Sequence, residues 1–513
     1  MHEPTNPTIH DPARDARSPD PGSPKSRRLA LLATLIGIVL VVGWQNLPER
    51  IQFGVFGGAP PETQLGPDTS APGAFGQADI LARIFIRGKR FFTDNDAGAG
   101  PMVMSNIDQA AAGPEDRVRA IIMSAEFESA DAALERIDEL ESDILDRRRD
   151  EDKGGGPYHE SPRTELVLDE LDALETIYTR GRDAIDQPMR DQLETRYGVV
   201  GRAATTHGLD PTHPEREPIV TGFWAIGLFM LAVGLGAVLA PIVGAAILIV
   251  GIVVLGRRRT PVRRFEPPAP GGSVYLETYA VFLLGFAIMA LGTTAIAVLV
   301  DPALALLSLP LQWILLITPG WALARGADAR SWRAALGLHR GTGLFREIGA
   351  GVLSYLACVP IYYAAVVVSL VLIMIWSMIE RQLFGVQDQQ SMPVNPVFEI
   401  IASGNALAIL LIFTLATVWA PLTEELVFRG ALHRHLRARM HWVGAAALGA
   451  VLFAFMHSYG PLLVAPLIAL GFAFSLVREW RGSIIAPITM HFIHNATLMT
   501  IMITMAMLLG DPG

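Results

Sequence analysis

The sequence has very little cysteine, lysine and charge. Among 513 residues there is one cysteine, Cys358, and charged residues make up 18% against 51% hydrophobic residues. A single thiol excludes an intrachain disulfide, and its position in an apolar run predicts a small packing residue. Scarce charge beside abundant hydrophobic residues indicates a chain that is embedded in a membrane. The length also allows more than one domain.

The charge that is present is unevenly placed. Residues 48–217 hold 34 of the 50 Asp and Glu residues but only 19 of the 41 Lys and Arg residues. This surplus of negative charge gives no reason to expect nucleic-acid binding. We predict a soluble, acidic, mainly helical domain over 48–217 with a linker in its N-terminal part, and a possible protein partner for it.

Two helices are predicted in this acidic domain. Pro114, followed by two acids, opens a helix whose apolar residues recur every three or four positions through Ile144, up to the "RRRDEDKGGG" stretch. Ser161 and Pro162 open another, with Ser161 as its cap. No catalytic motif occurs in the segment, which is typical of an accessory domain.

The N-terminal residues predict a disordered tail followed by a transmembrane anchor. Residues 1–28 are rich in Pro, Asp, Ser and Arg, which predicts disorder, and residues 29–47 form an apolar stretch after a basic flank. No small-residue cleavage site follows the stretch, so an uncleaved transmembrane anchor is favoured over a signal peptide.

Eight further apolar stretches predict membrane helices. About 20 helical residues cross ~30 Å of hydrocarbon, and the stretches are 219–255, 274–300, 302–324, 348–379, 400–421, 442–457, 461–477 and 484–509. The predicted fold is an all-α polytopic membrane protein, with a bundle of about eight spans after the anchor helix. We assign 218–273 to a transmembrane segment with a basic loop, and 274–509 to the main membrane domain.

Basic loops predict the orientation in what we take to be a prokaryotic cytoplasmic membrane. The Arg-rich loops 257–264, 325–346, 429–439 and 478–482 belong on the cytoplasmic side. If 219–255 crosses once, the acidic domain lies outside. A hairpin turn between Gly236 and Pro241 would place it inside instead.

Two adjacent glutamates interrupt the membrane pattern at "WAPLTEELVFRG". A carboxylate at this depth costs about 2.5 kcal/mol or more and therefore suggests function. Glu425 and Arg429 are four residues apart, on one helix face, in the order that favours an ion pair. Glu424 is rotated by about 100° from that pair, and a poorly solvated carboxylate without a cation suits a general base.

Two more polar sites follow, "FAFMH" and "HFIHN". The first places Phe453 and His457 one turn apart, and the second does the same for His491 and Asn495. A lone intramembrane histidine is more often a structural partner, but three such sites together favour function. Glu424 and His457 could activate a water, while His491 and Asn495 donate to the oxyanion of a peptide carbonyl under attack.

The other histidines are weaker candidates. His494 could line the same cavity or only pack, and His433, His435 and His441 are predicted to be solvated or to face headgroups. His457 should fall at the far end of its span from Glu424, so we expect either a strongly tilted helix or a stretch from 422 to 441 that dips back into the membrane.

The order EExxxR, FxxxH, HxxxN resembles the CPBP (Abi) family, which includes the type II CAAX prenyl endopeptidases. The resemblance is specific over about 400–505, looser back to 274, where "LGL" (336–338) fits, and absent from residues 1–218. It implies Glu424 as the catalytic glutamate, His457 as the histidine that activates water, and His491 and Asn495 as the oxyanion pair. Glu425, Arg429 and Phe453 are implied as supporting residues.

Other proteolytic mechanisms lack their motifs. The sequence contains no HExxH and no GxGD, and its three lysines, Lys25, Lys89 and Lys153, lie outside the main membrane body, which disfavours a Ser-Lys dyad. Zinc held by Glu424, His457 and His491 is an alternative. We favour no cofactor, because Asn495 is a poor zinc ligand and the resemblance implies a metal-independent reaction.

The predicted function is hydrolysis of a peptide bond in a polypeptide substrate in or at the membrane, with membrane lipid as the surrounding partner. A non-catalytic scaffold or immunity-type protein is the alternative, because such a protein could retain the motifs for packing. The identity of the substrate does not follow from the sequence.

Overall fold

The computed structural model describes residues 19–45, 47, 55, 77–91, 99–111, 113–153, 162–257, 264–384, 397, 400–401, 405–457, 460 and 462–510. These residues are helical throughout the ordered elements and contain no β-strand. The all-α fold class predicted from the sequence is confirmed.

The described chain contains seventeen helices besides two short 3₁₀ helices at Arg182–Ala184 and Pro302–Leu307. They are α1 (Pro24–Gln45), α2 (Gln77–Arg87), α3 (Ala99–Ala110), α4 (Pro114–Phe127), α5 (Ala130–Lys153), α6 (Pro162–Arg180), α7 (Gln187–Tyr197), α8 (Val199–Thr205), α9 (Phe223–Gly256), α10 (Val274–Leu299), α11 (Ser308–Ala324, partly 3₁₀), α12 (Ala329–Leu336), α13 (Leu344–Phe384), α14 (Ala406–Arg437), α15 (Trp442–Phe455), α16 (Ala465–Arg481) and α17 (Ile485–Leu509).

Six of these helices are long and apolar enough to cross a membrane: α1, α9, α10, α13, α14 and α17. The eight apolar stretches predicted after the anchor all contain helix. However, α11, α15 and α16 have at most 17 residues each. Several apolar helices of this length in one chain indicate a multi-pass integral membrane protein.

The chain divides into two compact units. One comprises Met1–Pro60, Leu235–Gln387 and Leu410–Met499, and the other Pro61–Gly234, Asp388–Ile409 and Thr500–Gly513. We call the first the membrane unit and the second the accessory unit. The accessory unit thus includes the first turns of α9 and the last turns of α17, in addition to α2–α8.

The accessory unit has its own apolar core. Helices α2–α8 bury aliphatic side chains such as Ile86, Ile107, Ile121, Leu174 and Leu193, each 0–1% exposed. The helix predicted to run from Pro114 through Ile144 is in fact two, α4 and α5. Ser129 lies between them and caps α5, because its hydroxyl accepts a hydrogen bond from the Ala132 amide (3.0 Å). Helix α6 begins at Pro162 as predicted, while Ser161 lies outside the described residues.

The N-terminal tail is more ordered than predicted. Helix α1 begins at Pro24 rather than Leu29, and the carbonyl of Pro21 accepts hydrogen bonds from Ser273 and Val274. Asp20 accepts three hydrogen bonds from the Arg434 guanidinium at 2.7–3.2 Å. The prediction of disorder is therefore wrong for residues 19–28, because a charge pair and main-chain bonds fix them, and residues 1–18 lie outside the described residues.

An alternative hairpin and a predicted loop are both helical in the structure. Helix α9 runs without interruption through Pro241, so the hairpin alternative for 219–255 is wrong. Helix α14 runs on through Arg437, so the predicted basic loop 429–439 is helical over most of its length. Buried contacts of its charged side chains explain the second difference, as described below.

Candidate functional site

Helix α14 carries the glutamate pair and is not a regular α-helix. Its segments Leu415–Trp419 and Glu425–Leu432 are π-helical. Widened π turns are rare inside helices and are often found at functional sites. The second of them contains Glu425 and Arg429, so the acidic motif lies where the helix is wound most loosely.

The predicted ion pair between Glu425 and Arg429 is present and buried. Arg429 Nη1 donates to Glu425 Oε1 at 2.8 Å, and the two side chains are 0–1% exposed. Arg429 Nη2 donates to the Gly471 carbonyl of α16 at 3.1 Å. The guanidinium carbon lies 4.3 Å from the centre of the Phe453 ring and 5.0 Å from that of Phe474. Hydrogen bonds and aromatic faces thus compensate the charge of Arg429 after it has lost water.

His491 lies between the two glutamates. Its Nδ1 is 3.0 Å from Glu425 Oε1, and its Nε2 is 3.9 Å from Glu424 Oε2. A carboxylate paired with arginine accepts hydrogen bonds, so Nδ1 is the donor in the first contact. The ring also stacks on Phe474, with centroids 5.2 Å apart and planes 25° apart. These contacts fix the orientation of His491 and leave Nε2 facing Glu424.

Both glutamates keep an oxygen without a protein partner. Glu424 Oε2 and Glu425 Oε2 are buried and make no hydrogen bond within the described chain. The Glu424 side chain is 16% exposed, whereas that of Glu425 is 0% exposed. Unpaired buried oxygens are costly. The oxygen of Glu424 is therefore the better placed of the two to accept a hydrogen bond from a water or a substrate.

His457 packs against the Phe453 ring, which also neighbours His491. Its Nδ1 is 2.9 Å from the Phe453 carbonyl, and its ring centroid is 4.9 Å from that of Phe453. The Phe453 centroid is in turn 5.9 Å from that of His491. A carbonyl can only accept, so Nδ1 of His457 is the donor in this contact.

Helix α15 brings His457 close to the level of the acidic motif. Helix α15 has only 14 residues, about 21 Å, and ends just before His457. The Phe453 ring near its end contacts Arg429, so this end lies level with the acidic motif. Helix α14 is continuous through Arg437, so most of the 422–441 segment that was predicted to dip back belongs to one uninterrupted helix.

Asn495 contacts α14 one turn further along α17. Its Nδ2 donates to the Ala416 carbonyl at 2.8 Å, inside the first π segment. An amide nitrogen has two hydrogens, so one remains for another acceptor. The structure thus places Asn495 one helical turn from His491 and against the same helix that carries Glu424.

The remaining histidines are structural. His494 is 8% exposed and packs against Tyr355 and Tyr362 of α13, with ring centroids 6.1 and 5.2 Å away. His433 Nε2 contacts Glu479 Oε1 at 2.9 Å.

The prediction that His433 and His435 are solvated is wrong, because they are 1% and 6% exposed. Glu479 bonds both His433 and Arg437, which holds this part of α14 as a buried helix instead of a loop. His441 is exposed and caps α15 through the Val443 amide.

Several residues around the site escaped sequence analysis. Phe474 and Gly471 of α16 contact His491 and Arg429, but a single aromatic and a single glycine in an apolar helix give no signal. The "LGL" stretch did give a signal, through its resemblance to the family. Leu336 is 0% exposed and packs against Gly430, where a Cβ atom would lie 2.9 Å from Leu336 Cδ2. Gly337 has a left-handed backbone (φ 78°) and lies beside Arg478.

Zinc is the alternative cofactor predicted from the sequence. Within the described residues, no three His, Cys, Asp or Glu side chains are placed to hold one metal ion. We therefore derive no step that uses a metal.

Comparison with known proteins points to one family. Residues 406–497 match the family model described as type II CAAX prenyl endopeptidase Rce1-like. An uncharacterized protein of Bacillus subtilis (strain 168), YpbD, is 31% identical over 80 residues, which span 16% of this chain and 40% of that protein. No solved structure matches. The resemblance seen in the sequence is confirmed for residues 406–497, which are similar to the type II CAAX prenyl endopeptidases described as Rce1-like.

Proposed function

We propose that this protein is an intramembrane endopeptidase that hydrolyses a peptide bond of a membrane-associated polypeptide by activated water, without a covalent intermediate. The observation that carries the proposal is the unpaired buried Oε2 of Glu424, 3.9 Å from Nε2 of an oriented His491. A water within hydrogen-bond reach of both atoms fits this separation. The match of residues 406–497 supports a protease at the level of the family.

The first step is activation of the water. The water donates one proton to the Glu424 carboxylate while its oxygen attacks the carbonyl carbon of the scissile bond. His457 assists through its Nε2, since its Nδ1 is directed at the Phe453 carbonyl. A base of this kind typically contributes 10²–10⁴-fold to the rate.

The second step is stabilisation of the oxyanion. Asn495 supplies the second hydrogen of Nδ2, since the first is used by Ala416. His491 is the second proposed donor: its Nδ1 contact with Glu425 holds the ring so that Nε2 faces the site. Such fixed donors contribute about 3 kcal/mol each when they point to where negative charge develops.

The last step is release of the amine. The proton held by Glu424 moves to the leaving nitrogen, the C–N bond breaks, and the carboxylate of Glu424 is restored. One water is consumed, and no residue of the protein is modified. Glu425, Arg429 and Phe453 act by position: they hold His491 and the end of α15 in place.

The test replaces Glu424 with Gln, which retains the shape of the side chain and removes the base. We expect Glu424→Gln to abolish cleavage while the protein accumulates in the membrane at the normal level. Quantitative mass spectrometry of new peptide termini in membranes with wild-type or variant protein measures this and identifies the substrate. Glu266→Gln, at an exposed position of the membrane unit, is the matched control.

The same comparison decides between an enzyme and a scaffold. A scaffold or immunity-type protein would function normally with Glu424→Gln, and identical terminus profiles would reject the catalytic assignment. We propose that the substrate is a polypeptide in or at the membrane. We also propose that residues 48–217 recruit a partner, because α5 and α6 expose most of their carboxylates.

A further inference from the structure

The helix that carries His491 and Asn495 ends inside the accessory unit. Residues Thr500–Gly513 belong to that unit, together with α2 and the first turns of α9. The last carbonyl groups of any helix lack partners within the helix and need donors from elsewhere. Their partners here therefore show what holds the end of α17.

Two buried arginines of α2 are those donors. Arg83 Nη1 donates to the Leu509 carbonyl at 3.1 Å, and Arg87 Nη2 donates to the Gly510 carbonyl. Arg87 Nη1 also donates to the Thr221 carbonyl, just before α9, at 3.3 Å. Positive charge at a helix C-terminus is favourable because it meets the negative end of the helix dipole. One arginine thus joins the end of α17 to the start of α9.

The arginines are themselves held by the accessory core. Asp79, 0% exposed, accepts from Arg83 Nε at 2.6 Å and from Arg119 Nε of α4 at 3.2 Å. A chain of buried contacts therefore leads from α4 through Asp79 and Arg83 to the last turn of α17.

Apolar contacts complete this attachment. Leu509 and Ile226 are 0% and 2% exposed and pack together with Ile80, Ile84, Met505 and Leu508. The last turn of α17 is thus buried on one side and capped at its end. We call Arg83, Arg87 and this apolar cluster the α17 clamp.

We propose that the α17 clamp positions His491 and Asn495 for catalysis, so that the accessory unit is part of the working enzyme. Arg83 and Arg87 are positioning residues that act through the helix. From Leu509 to Asn495 the helix covers 14 residues, about 21 Å, and a continuous helix transmits a change in tilt or rotation along that length. This inference rests on the proposed function.

The test uses the full chain in membranes with Arg83→Ala/Arg87→Ala, and the same new peptide termini that Glu424→Gln removes serve as the activity readout. We expect those termini to fall at least about tenfold, since small displacements of catalytic groups cost about 10²-fold. The double substitution Arg83→Lys/Arg87→Lys retains a donor at each position and should recover part of the activity. Arg117→Ala is the control, because Arg117 forms an exposed pair with Asp143 in the same unit.

Hydrogen exchange separates positioning from general instability. In the Ala variant, amides of residues 503–510 and 488–495 should exchange faster, while those of α4 keep their protection. A frayed end of α17 with unchanged cleavage would overturn the proposal, as would a loss of protection across α4 together with no recovery in the Lys variant. If Glu424→Gln also cleaves normally, it is the proposed function that fails and not the clamp alone.

Discussion

Glu425 holds two buried side chains at once. Its Oε1 accepts from Arg429 and from His491, and all three side chains are at most 5% exposed. Removal of one partner from a buried ion pair typically costs about 3–5 kcal/mol, because the other charge stays in the interior without compensation. Adjacent carboxylates of α14 should therefore respond to substitution in different ways.

We expect Glu425→Gln to lower both thermal stability and cleavage. The amide cannot neutralise Arg429, and it is a weaker acceptor for the hydrogen bond that orients His491. Thermal unfolding of the purified protein, measured beside Glu424→Gln, checks this: the Glu425 variant should melt lower than wild type and the Glu424 variant should not. A normal melting temperature for Glu425→Gln would contradict a structural role for the pair.

The buried carboxylate of Glu126 should make the accessory unit less stable in acid. Burial by itself raises the pKa of Glu126, but the hydrogen bond with His207 and the charges of Lys89 and Arg216 outweigh it and lower the pKa from 4.5 to about 2. The folded state thus favours the ionised form. This contribution is complete above about pH 4.5 and is lost as the pH falls from there to about 2.

The magnitude is of the order of 3 kcal/mol. Calorimetry of the full chain in nanodiscs at about pH 6 and about pH 3 should show the transition of the accessory unit falling with acid in wild type. Glu126→Gln should be less stable at the higher pH and should lose less on acidification. An equal loss in both proteins would assign the acid sensitivity to other carboxylates.

The chemistry of individual residues was partly predictable. The spacing of Glu425 and Arg429 specifies an ion pair because neighbours four apart share a helix face. The contact of Glu425 with His491 joins positions 66 residues apart, and no local pattern encodes it. His433 and His435 were misjudged because a run of basic residues looks solvated until a buried acceptor such as Glu479 is known.

Helices α9 and α13 meet at one glycine. A Cβ atom on Gly244 would lie 2.1 Å from the Leu356 carbonyl oxygen and 2.8 Å from Pro360 Cδ. Pro360 has no amide hydrogen, so the Leu356 carbonyl four residues earlier lacks its helical partner. The backbone of α9 therefore comes close to α13 at the turn where α13 lacks one backbone hydrogen bond.

We expect Gly244→Ala to destabilise the membrane unit by about 1–3 kcal/mol, because backbone must move to admit a methyl group. Gly251→Ala in the same helix is the control, since a Cβ atom there meets nothing within 4 Å and alanine is the better helix former by about 1 kcal/mol. Thermal unfolding in detergent compares the two variants. Equal stability of both would show that α9 and α13 do not require this close approach.

The presence of most helices could be predicted from the periodicity and length of the apolar runs, whereas the residues at which the helices end could not. Apolar runs of sufficient length specify membrane helices because backbone polar groups must pair within lipid. Continuation of α14 to Arg437 depends on tertiary contacts of Glu479 with His433 and Arg437. The π segments of α14 likewise have no signature in its sequence.

The ends of two long helices bear on the side of the membrane that we expect for the accessory unit. Helix α9 is about 51 Å long, enough to cross a bilayer; it begins two residues after Thr221 and precedes the Arg-rich segment 257–264. Helix α17 follows the Arg-rich last turn of α16 and ends just before Gly510. Arg87 donates to the carbonyls of both Thr221 and Gly510, so the two helix ends remote from the basic loops are on the same side.

We therefore expect the acidic accessory unit outside the cytoplasm, because loops rich in arginine stay inside. Single cysteines introduced by Ser142→Cys in α5 and Ser331→Cys in α12, both at exposed positions, test this in a Cys358→Ala background. A maleimide that does not cross membranes should label Ser142→Cys in intact cells and Ser331→Cys only after permeabilisation. The reverse pattern would require the basic loops to face outward, and it would place the α17 clamp on the cytoplasmic side.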